Sequence, residues 1–265
     1  MMNIMQKLKR AGIENYIFEA RIICEHAGKY NLDAGRLAER RAGREPLQYI
    51  LGEWEFYGDN YKLNRDCLIP RPETELLTEY IINHAGQGAL ILDLCSGSGC
   101  VSISALKRRG DLRAVLVDIS SGAVGISREN AELNGVAGRV ACCCLDIIKD
   151  AHKIAQICRP GLIVSNPPYL SLQDMRQLKD ELLHEPAAAL FGGDDGLEFY
   201  RFIIANYKNI CSEIIFECGA GQHESITRIF KSHGFACEII KDYNKIERVI
   251  KGEIQDGSRK TIRSD

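Results

Sequence analysis

The sequence predicts an α/β chain organised around a doubly wound parallel sheet, and three observations carry that reading. Short apolar runs alternate with helical stretches from Ala89 onward, the rhythm of strands joined by crossover helices. The first run ends in Asp93-Leu94-Cys95-Ser96-Gly97-Ser98-Gly99, where glycines let the backbone turn tightly and approach a ligand. Two more acids, Asp118 and Asp146, stand at or just after the ends of the next two runs. Three carboxylates therefore fall on the strand edge where open α/β sheets bind their ligands.

The 265 residues, 45% hydrophobic, suffice for one large domain and a small one. Residues 1–44 set Ile13, Ile17, Ala20 and Cys24 at helical spacing amid charge, which reads as a small helical unit. Two aromatic-rich pieces, Trp54 to Gly58 and Tyr61 to Leu63, flank Gly58-Asp59-Asn60 and read as a β-hairpin joining the two domains. Strands follow at 90–94, 114–117, 140–144, 162–164 and 214–216. The last two, 236–240 and 248–250, are separated by a polar stretch too short for a crossover helix, so they should pair antiparallel.

Charge and composition narrow the partners. With 34 basic and 36 acidic residues the net charge is −2, so no global positive field points to stable nucleic-acid binding. Residues 1–10 lack the pattern of a secretory signal, and no run approaches the ~20 apolar residues that span a bilayer. A cytoplasmic protein without a membrane partner is expected. None of the eleven cysteines shows C-x-x-C spacing, so no metal site is expected; buried, reduced thiols in strands are, the run Cys142-Cys143-Cys144 included.

The glycine turn implies a nucleotide-like cofactor. A dinucleotide fingerprint wants glycine or alanine where Ser102 stands, and Asp93 would repel a pyrophosphate. Asp93 suits a cationic ligand instead. S-adenosylmethionine fits, carrying an ammonium and a sulfonium and no phosphate. Asp118, about 20 residues past the glycines, is placed for both ribose hydroxyls, and Asp146 for the adenine amine. Each acid alone is more often a cap or loop residue, and Asp118 before Ile119-Ser120-Ser121 could simply cap a helix.

A second feature follows the apolar run Leu162-Ile163-Val164. Asn166-Pro167-Pro168-Tyr169 places an amide, two residues without N–H donors and an aromatic ring on one rigid turn. The Asn166 side-chain oxygen and the Pro167 carbonyl can each accept one hydrogen of a planar NH2 group while Tyr169 packs nearby. The amide of glutamine and the exocyclic amine of adenine both qualify. Four residues alone are equally a Pro-rich turn closing a strand. Arg71, Glu73 and Thr74 are candidates to line the cofactor's amino-acid end or a substrate channel, against a solvated turn before a helix.

From about residue 45 to 252 the chain resembles the bacterial peptide chain release factor glutamine methyltransferases. The resemblance rests on Pro46-Leu47-Gln48-Tyr49-Ile50-Leu51-Gly52-Glu53, Phe56-Tyr57-Gly58, Ile69-Pro70-Arg71-Pro72-Glu73-Thr74-Glu75, the glycine turn, Val164-Ser165-Asn166-Pro167-Pro168-Tyr169, Glu185-Pro186, Gly192-Gly193 and Asp195-Gly196-Leu197, in matching order. It implies a seven-stranded, Rossmann-like methyltransferase sheet using S-adenosylmethionine, with S-adenosylhomocysteine as product. It also implies methylation of the glutamine in the Gly-Gly-Gln loop of a release factor. Residues 1–45 would be a helical substrate-recognition domain, 46–72 a linker and 73–265 the catalytic domain. Asp93, Cys95, Ser96, Gly97, Ser98, Gly99, Asp118, Ile119, Asp146, Ile147 and Asn166 would hold the cofactor. Asn166, Pro167 and Tyr169 would act in catalysis, and with Pro168 and Arg71 would bind the glutamine. Cys95 stands where many members have glycine, Gly161 where aspartate is usual, and the segment before Arg40 is shorter than the family's helical domain.

Blander readings cover the remaining features. Arg36, Arg40, Arg41 and Arg44, interleaved with Glu39 and Glu45, read as a solvated helix face with local pairs ahead of a docking surface. Arg259, Lys260 and Arg263 lie in a polar tail expected to fray, and His184 reads as a loop or helix-end histidine rather than a base. A glutamine on a ribosomal protein is the nearest alternative substrate. Adenine-N6 methylation of nucleic acid should bring a target-recognition region and a basic face, and neither is evident. A cofactor-binding scaffold without activity would want a damaged acceptor turn.

Overall fold

Side-chain alternation along the strands divides the chain's apolar residues between two layers, one on each face of a central sheet. The computed structural model describes residues 1–254; Arg259, Lys260 and Arg263 lie outside the described residues. Four helices come first: α1 (Met2–Arg10), α2 (Tyr16–Tyr30), α3 (Ala34–Ala42) and the short α4 (Leu47–Leu51). Asp33 caps α3, its carboxylate accepting from the Gly35 and Arg36 N–H groups. The buried stripe of α2 is Ala20, Ile23 and Ala27, not the expected Ile17 and Cys24. Ile17 is exposed, Cys24 half-buried, and Ile13, though buried, precedes the helix. Two alanines on the true stripe let α2 approach its neighbours closely. These residues form one cluster with Leu8, Leu37 and Ala38, and with Leu47 and Ile50 of α4, so this core continues past residue 45.

The hairpin joins β1 (Glu53–Phe56) to β2 (Asp59–Lys62). Its turn is the pair Tyr57-Gly58, both in the left-handed region at φ 53° and 73°, rather than Gly58-Asp59-Asn60. Two central residues of positive φ match the twist of the flanking strands. Asp59 is committed elsewhere, accepting from Lys107 Nζ and Arg108 Nη1, each at 2.5 Å. The Tyr57 N–H donates to Glu75 Oε1 at 2.8 Å, which fastens the hairpin to the start of α5 (Glu75–His84).

Seven strands make the main sheet: β3 (Leu90–Leu94), β4 (Arg113–Asp118), β5 (Val140–Cys144), β6 (Leu162–Ser165), β7 (Glu213–Glu217), β8 (Phe235–Lys241) and β9 (Glu247–Ile254). Their order is β5-β4-β3-β6-β7-β9-β8, with β9 antiparallel to both neighbours. Ile91, Ala114, Leu116, Val164 and Ile215 face α5, α6 (Cys100–Arg108) and α7 (Ser121–Leu133). Leu92, Leu94, Val115, Val117, Ile163 and Phe216 face α8 (Ala151–Ile157), and, beyond the one-turn α9 (Leu172–Met175), α10 (Glu198–Tyr207) and α11 (His223–Ser232). Of the cysteine run, Cys142 and Cys143 are half-buried and Cys144 is exposed, because β5 is an edge strand. The five buried thiols, Cys67, Cys100, Cys158, Cys211 and Cys218, lie in loops and helix ends rather than in strands.

The chain reverses its direction of travel across the sheet between β3 and β6, which makes a crevice at their carboxyl ends. The pairings Leu94↔Val117, Leu94↔Ser165 and Ser165↔Phe216 align those ends, so the residues following β3, β4, β6 and β7 meet there.

Candidate active site

The turn after β3 needs its glycines. Cys95, Gly97 and Gly99 all adopt positive φ, at 60°, 54° and 78°. A Cβ on Gly99 would stand 2.7 Å from Leu116 Cδ2 and 2.8 Å from Ile103 Cδ1, so α6 can pack this close to β4 only without one. Cys95 holds the same left-handed geometry, at a cost of roughly 1–2 kcal/mol that a glycine would not bear.

Under this turn Asp93 is buried and accepts from Ser102 Oγ at 2.7 Å. The serine that spoils a dinucleotide fingerprint thus supports the carboxylate. Burial pushes the Asp93 carboxyl up to about 7, against the opposing hydrogen bond from Ser102. Asp118 accepts the Gly97 N–H at 2.8 Å on one oxygen and the Ser120 N–H at 2.9 Å on the other. It is not the cap of α7; Ser120 is, its Oγ accepting from Ala123. Burial raises the Asp118 carboxyl as well. Asp146 accepts from the Ile148 N–H at 2.8 Å and the Lys149 N–H at 3.2 Å.

Opposite this loop stands the Asn166-Pro167-Pro168-Tyr169 turn. Gly192 and Gly196 press on its far side: a Cβ on Gly192 would lie 2.5 Å from the Pro168 oxygen, and one on Gly196 would run into the Tyr169 oxygen. Gln222 Nε2 donates to that same Tyr169 oxygen at 2.9 Å. The turn has no room to relax. Asn166 Nδ2 donates to Thr74 Oγ1 at 3.3 Å, and Thr74 Oγ1 donates to Glu217 Oε2 at 2.5 Å. Asn166 Oδ1 is buried and has no hydrogen-bond partner among the described residues. A buried acceptor without a donor costs about 1–3 kcal/mol, which makes this oxygen a candidate to receive a donor from outside the chain.

Between the two loops lies a cavity of about 750 Å³. Asp93, Cys95, Ser96, Gly97, Ser98, Asp118, Ile119, Asp146 and Ile147 line it from one side, and Asn166, Pro168, Arg71 and Thr74 from the other. Gly99, Pro167 and Tyr169 do not line it. Gly99 is the N-cap of α6, Pro167 is buried, and the Tyr169 ring packs against the core beside Gly219, its phenol pushed by burial up to about 12. Glu73 and His184 also stand off the cavity wall.

Sequence reasoning missed the apolar wall of Cys67, Leu68, Phe191 and Phe199. It also missed the work of Glu185, whose carboxylate pairs with Arg71 and accepts the Ile69 N–H at 3.1 Å, tying the linker to the segment after α9. Glu185-Pro186 was visible as a motif, but nothing in it named a partner more than a hundred residues away.

The arginine cluster is a solvated helix face only in part: Arg36 and Arg40 are exposed and Arg40 pairs locally with Glu45, while Arg41 departs from that reading. Arg41 is buried, donating to Glu19 at 2.5 Å and to Glu181 at 2.7 Å. Arg40 forks onto Glu45 at 2.8 and 2.7 Å, and Arg44 donates to the Ala11 carbonyl at 2.9 Å. Arg36 is exposed and has no ion pair among the described residues. Local charge pattern could not reveal partners as distant in sequence as Glu19 and Glu181.

A pH dependence of stability follows from two buried carboxyls. Burial pushes both Asp93 and Glu217 up to about 7, above the range of their unfolded forms. Between the unfolded values near 4 and the folded values near 7 the native state binds more protons, so stability falls as pH rises through that window. Thermal melting of the ligand-free protein is expected to drop by ~3 °C or more between pH 5 and pH 8. A melting temperature that rises across that interval would contradict the burial of these groups.

Residues 72–213 match the family described as methyltransferase small domain. A release factor glutamine methyltransferase of Geobacter sulfurreducens is 39% identical over 223 residues, covering 82% of this chain and 76% of that protein. One from Thermodesulfovibrio yellowstonii is 39% identical over 223 residues, covering 81% and 78%. Among solved structures, the hMettl16 catalytic domain in complex with MAT2A 3'UTR hairpin 6 aligns with a TM-score of 0.61 at 14% identity, over 83% of this chain and 82% of that one, a likeness of fold alone.

Proposed function

The chain belongs to the release factor glutamine methyltransferase family, and from that premise we propose that its cavity binds S-adenosylmethionine and its Asn166 turn receives the glutamine amide of a release factor Gly-Gly-Gln loop. The observation that supports this reading is the buried Asn166 Oδ1, unpartnered among the described residues, on a residue that lines the same cavity as Asp93, Asp118 and Asp146. The donor set suits that cofactor. Asp93 is a counter-charge for an ammonium, and each Asp118 oxygen, already fixed by one backbone N–H, keeps a lone pair for a ribose hydroxyl. Asp146 is assigned to the adenine amine, with Ile119 and Ile147 packing beside it.

Bound there, S-adenosylmethionine supplies a methyl group on a sulfonium. An amide nitrogen is a weak nucleophile because its lone pair is delocalised into the carbonyl, so the chain must orient it and hold the charge that grows on it. Asn166 Oδ1 is assigned one amide hydrogen and the carbonyl of Pro167, which lies off the cavity wall of the ligand-free chain, the other; the pair would turn the nitrogen toward the methyl and stabilise its developing positive charge. No strong base is required, since the proton left at Asn166 Oδ1 can depart after transfer. Pro168 and Arg71 form the adjoining wall, and Tyr169, packed behind it, holds the turn. Residues 1–45 serve as the docking unit together with α4, which packs into the same core, the rest of 46–72 as the linker, and the chain from residue 73 as the catalytic part. Among the described residues no helix is long and apolar enough to cross a membrane; the proposed partner places the protein in the cytoplasm.

Incubating the protein with methyl-labelled cofactor and either a release factor or its Gln→Asn variant in the Gly-Gly-Gln loop tests the proposal. Label is expected on the unaltered factor only. Equal label on both, or transfer to ribosomal protein or DNA in its place, refutes the substrate.

A further inference from the structure

The acceptor turn has a support drawn from two distant parts of the chain. Ser165 pairs with Phe216 across β6 and β7, so the next residues, Asn166 and Glu217, stand side by side. Thr74, buried at the start of α5, bridges them. An amide can turn either its oxygen or its nitrogen toward a site, and its neighbours decide which. The Thr74 hydroxyl has one proton. Given to Glu217 at 2.5 Å, that proton leaves an oxygen lone pair for Asn166 Nδ2 at 3.3 Å, which sets Asn166 Oδ1 on the side away from Thr74, without a donor among the described residues.

We propose that Thr74 and Glu217 are positioning residues that lock the Asn166 amide with its oxygen toward the acceptor nitrogen. This inference rests on the assignment of Asn166 as the amide acceptor. Without a carboxylate to receive it, the Thr74 proton is free to go to Asn166 Oδ1, and the amide turns over. Its NH2 would then meet the substrate NH2, donor against donor. An ionised Glu217 also polarises the whole chain of hydrogen bonds, which enriches Asn166 Oδ1 as an acceptor.

Protonation of Glu217 removes the selection. Burial pushes this carboxyl up to about 7. The groups facing it are Arg71 at the end of the linker, Glu73 beside Thr74, Arg248 from β9, Tyr169 after β6, Tyr200 from α10, and neighbouring Cys218. Glu73 reinforces the rise, while Thr74, Arg248 and Arg71 oppose it. Turnover should therefore fall on the acid side of about pH 7 with a one-proton slope.

The test measures kcat and KM with intact release factor at saturating cofactor, where Asp93 is already paired, from about pH 5.5 to 9. Cofactor Kd by calorimetry and melting temperature accompany each variant. Thr74→Val is expected to lower kcat ~30-fold with cofactor Kd changed less than ~3-fold, and Thr74→Ser to restore it to within ~3-fold. Glu217→Gln, isosteric and uncharged, is expected to fold, to lose ~5-fold in kcat and to lose the acid limb. Wild-type turnover in Thr74→Val, or an unchanged acid limb in Glu217→Gln, overturns the proposal. Should Thr74→Val fail to fold, the Glu217→Gln profile decides. Loss in Asn166→Ala alongside full activity in both other variants overturns the positioning role and leaves Asn166 as acceptor. Full activity in Asn166→Ala overturns that assignment itself.

Discussion

Asn166→Ala is expected to cut methyl transfer about 10²-fold or more while leaving the fold and cofactor affinity nearly intact. The side-chain oxygen of Asn166 is buried and unpartnered, so the free protein already bears the cost of holding an acceptor ready for the substrate amide. Its main chain is held independently, by β6 on one side and by the packing of Gly192 and Gly196 against Pro168 and Tyr169 on the other. Truncating the side chain therefore removes the contact without loosening the turn. Steady-state turnover with an intact release factor, set beside calorimetric cofactor affinity, checks it. Normal turnover in the folded variant would remove the central residue of the mechanism.

Asp118→Ala is expected to weaken binding of S-adenosylmethionine and its demethylated product by about 2 kcal/mol or more, roughly 30-fold in Kd. Two losses combine. The ribose loses a charge-assisted acceptor pair, and the Gly97 and Ser120 N–H groups lose the carboxylate that fixes them. The second loss loosens the glycine turn itself, so the effect should reach S-adenosylhomocysteine as strongly as the substrate form. Calorimetry decides: unchanged affinity in a folded Asp118→Ala protein, or heat of binding on addition of NAD, contradicts the assignment.

Much of this architecture was legible because its signals are local. The central strands show as short apolar runs with alternating faces, and Gly97 and Gly99 announce a tight turn from the sequence alone. Asp93, Asp118 and Asp146 could be grouped because parallel strands bring their carboxyl ends to one edge. What escaped were choices that depend on a distant neighbour. The buried stripe of α2, Ala20, Ile23 and Ala27, has the same helical spacing as the expected Ile17, Ala20 and Cys24, and the choice between them is made by packing against Leu8, Leu37 and Ala38. The hairpin turn moved to Tyr57-Gly58 because Asp59 is held by Lys107 and Arg108. Arg41 resembled a surface charge until Glu19 and Glu181 closed over it. Thr74 and Glu217 lie 143 positions apart, and only the alignment of β6 with β7 brings Glu217 beside the acceptor turn.

Fragment-ion mass spectrometry of a release factor after incubation with the protein and S-adenosylmethionine identifies the atom that receives the methyl group. The predicted result is a single added methyl on the side-chain nitrogen of the glutamine in the Gly-Gly-Gln loop, absent when Asn166→Ala replaces the wild-type protein. A methyl group on any other residue of the factor, or an unmodified factor beside methylated ribosomal protein or nucleic acid, would contradict it.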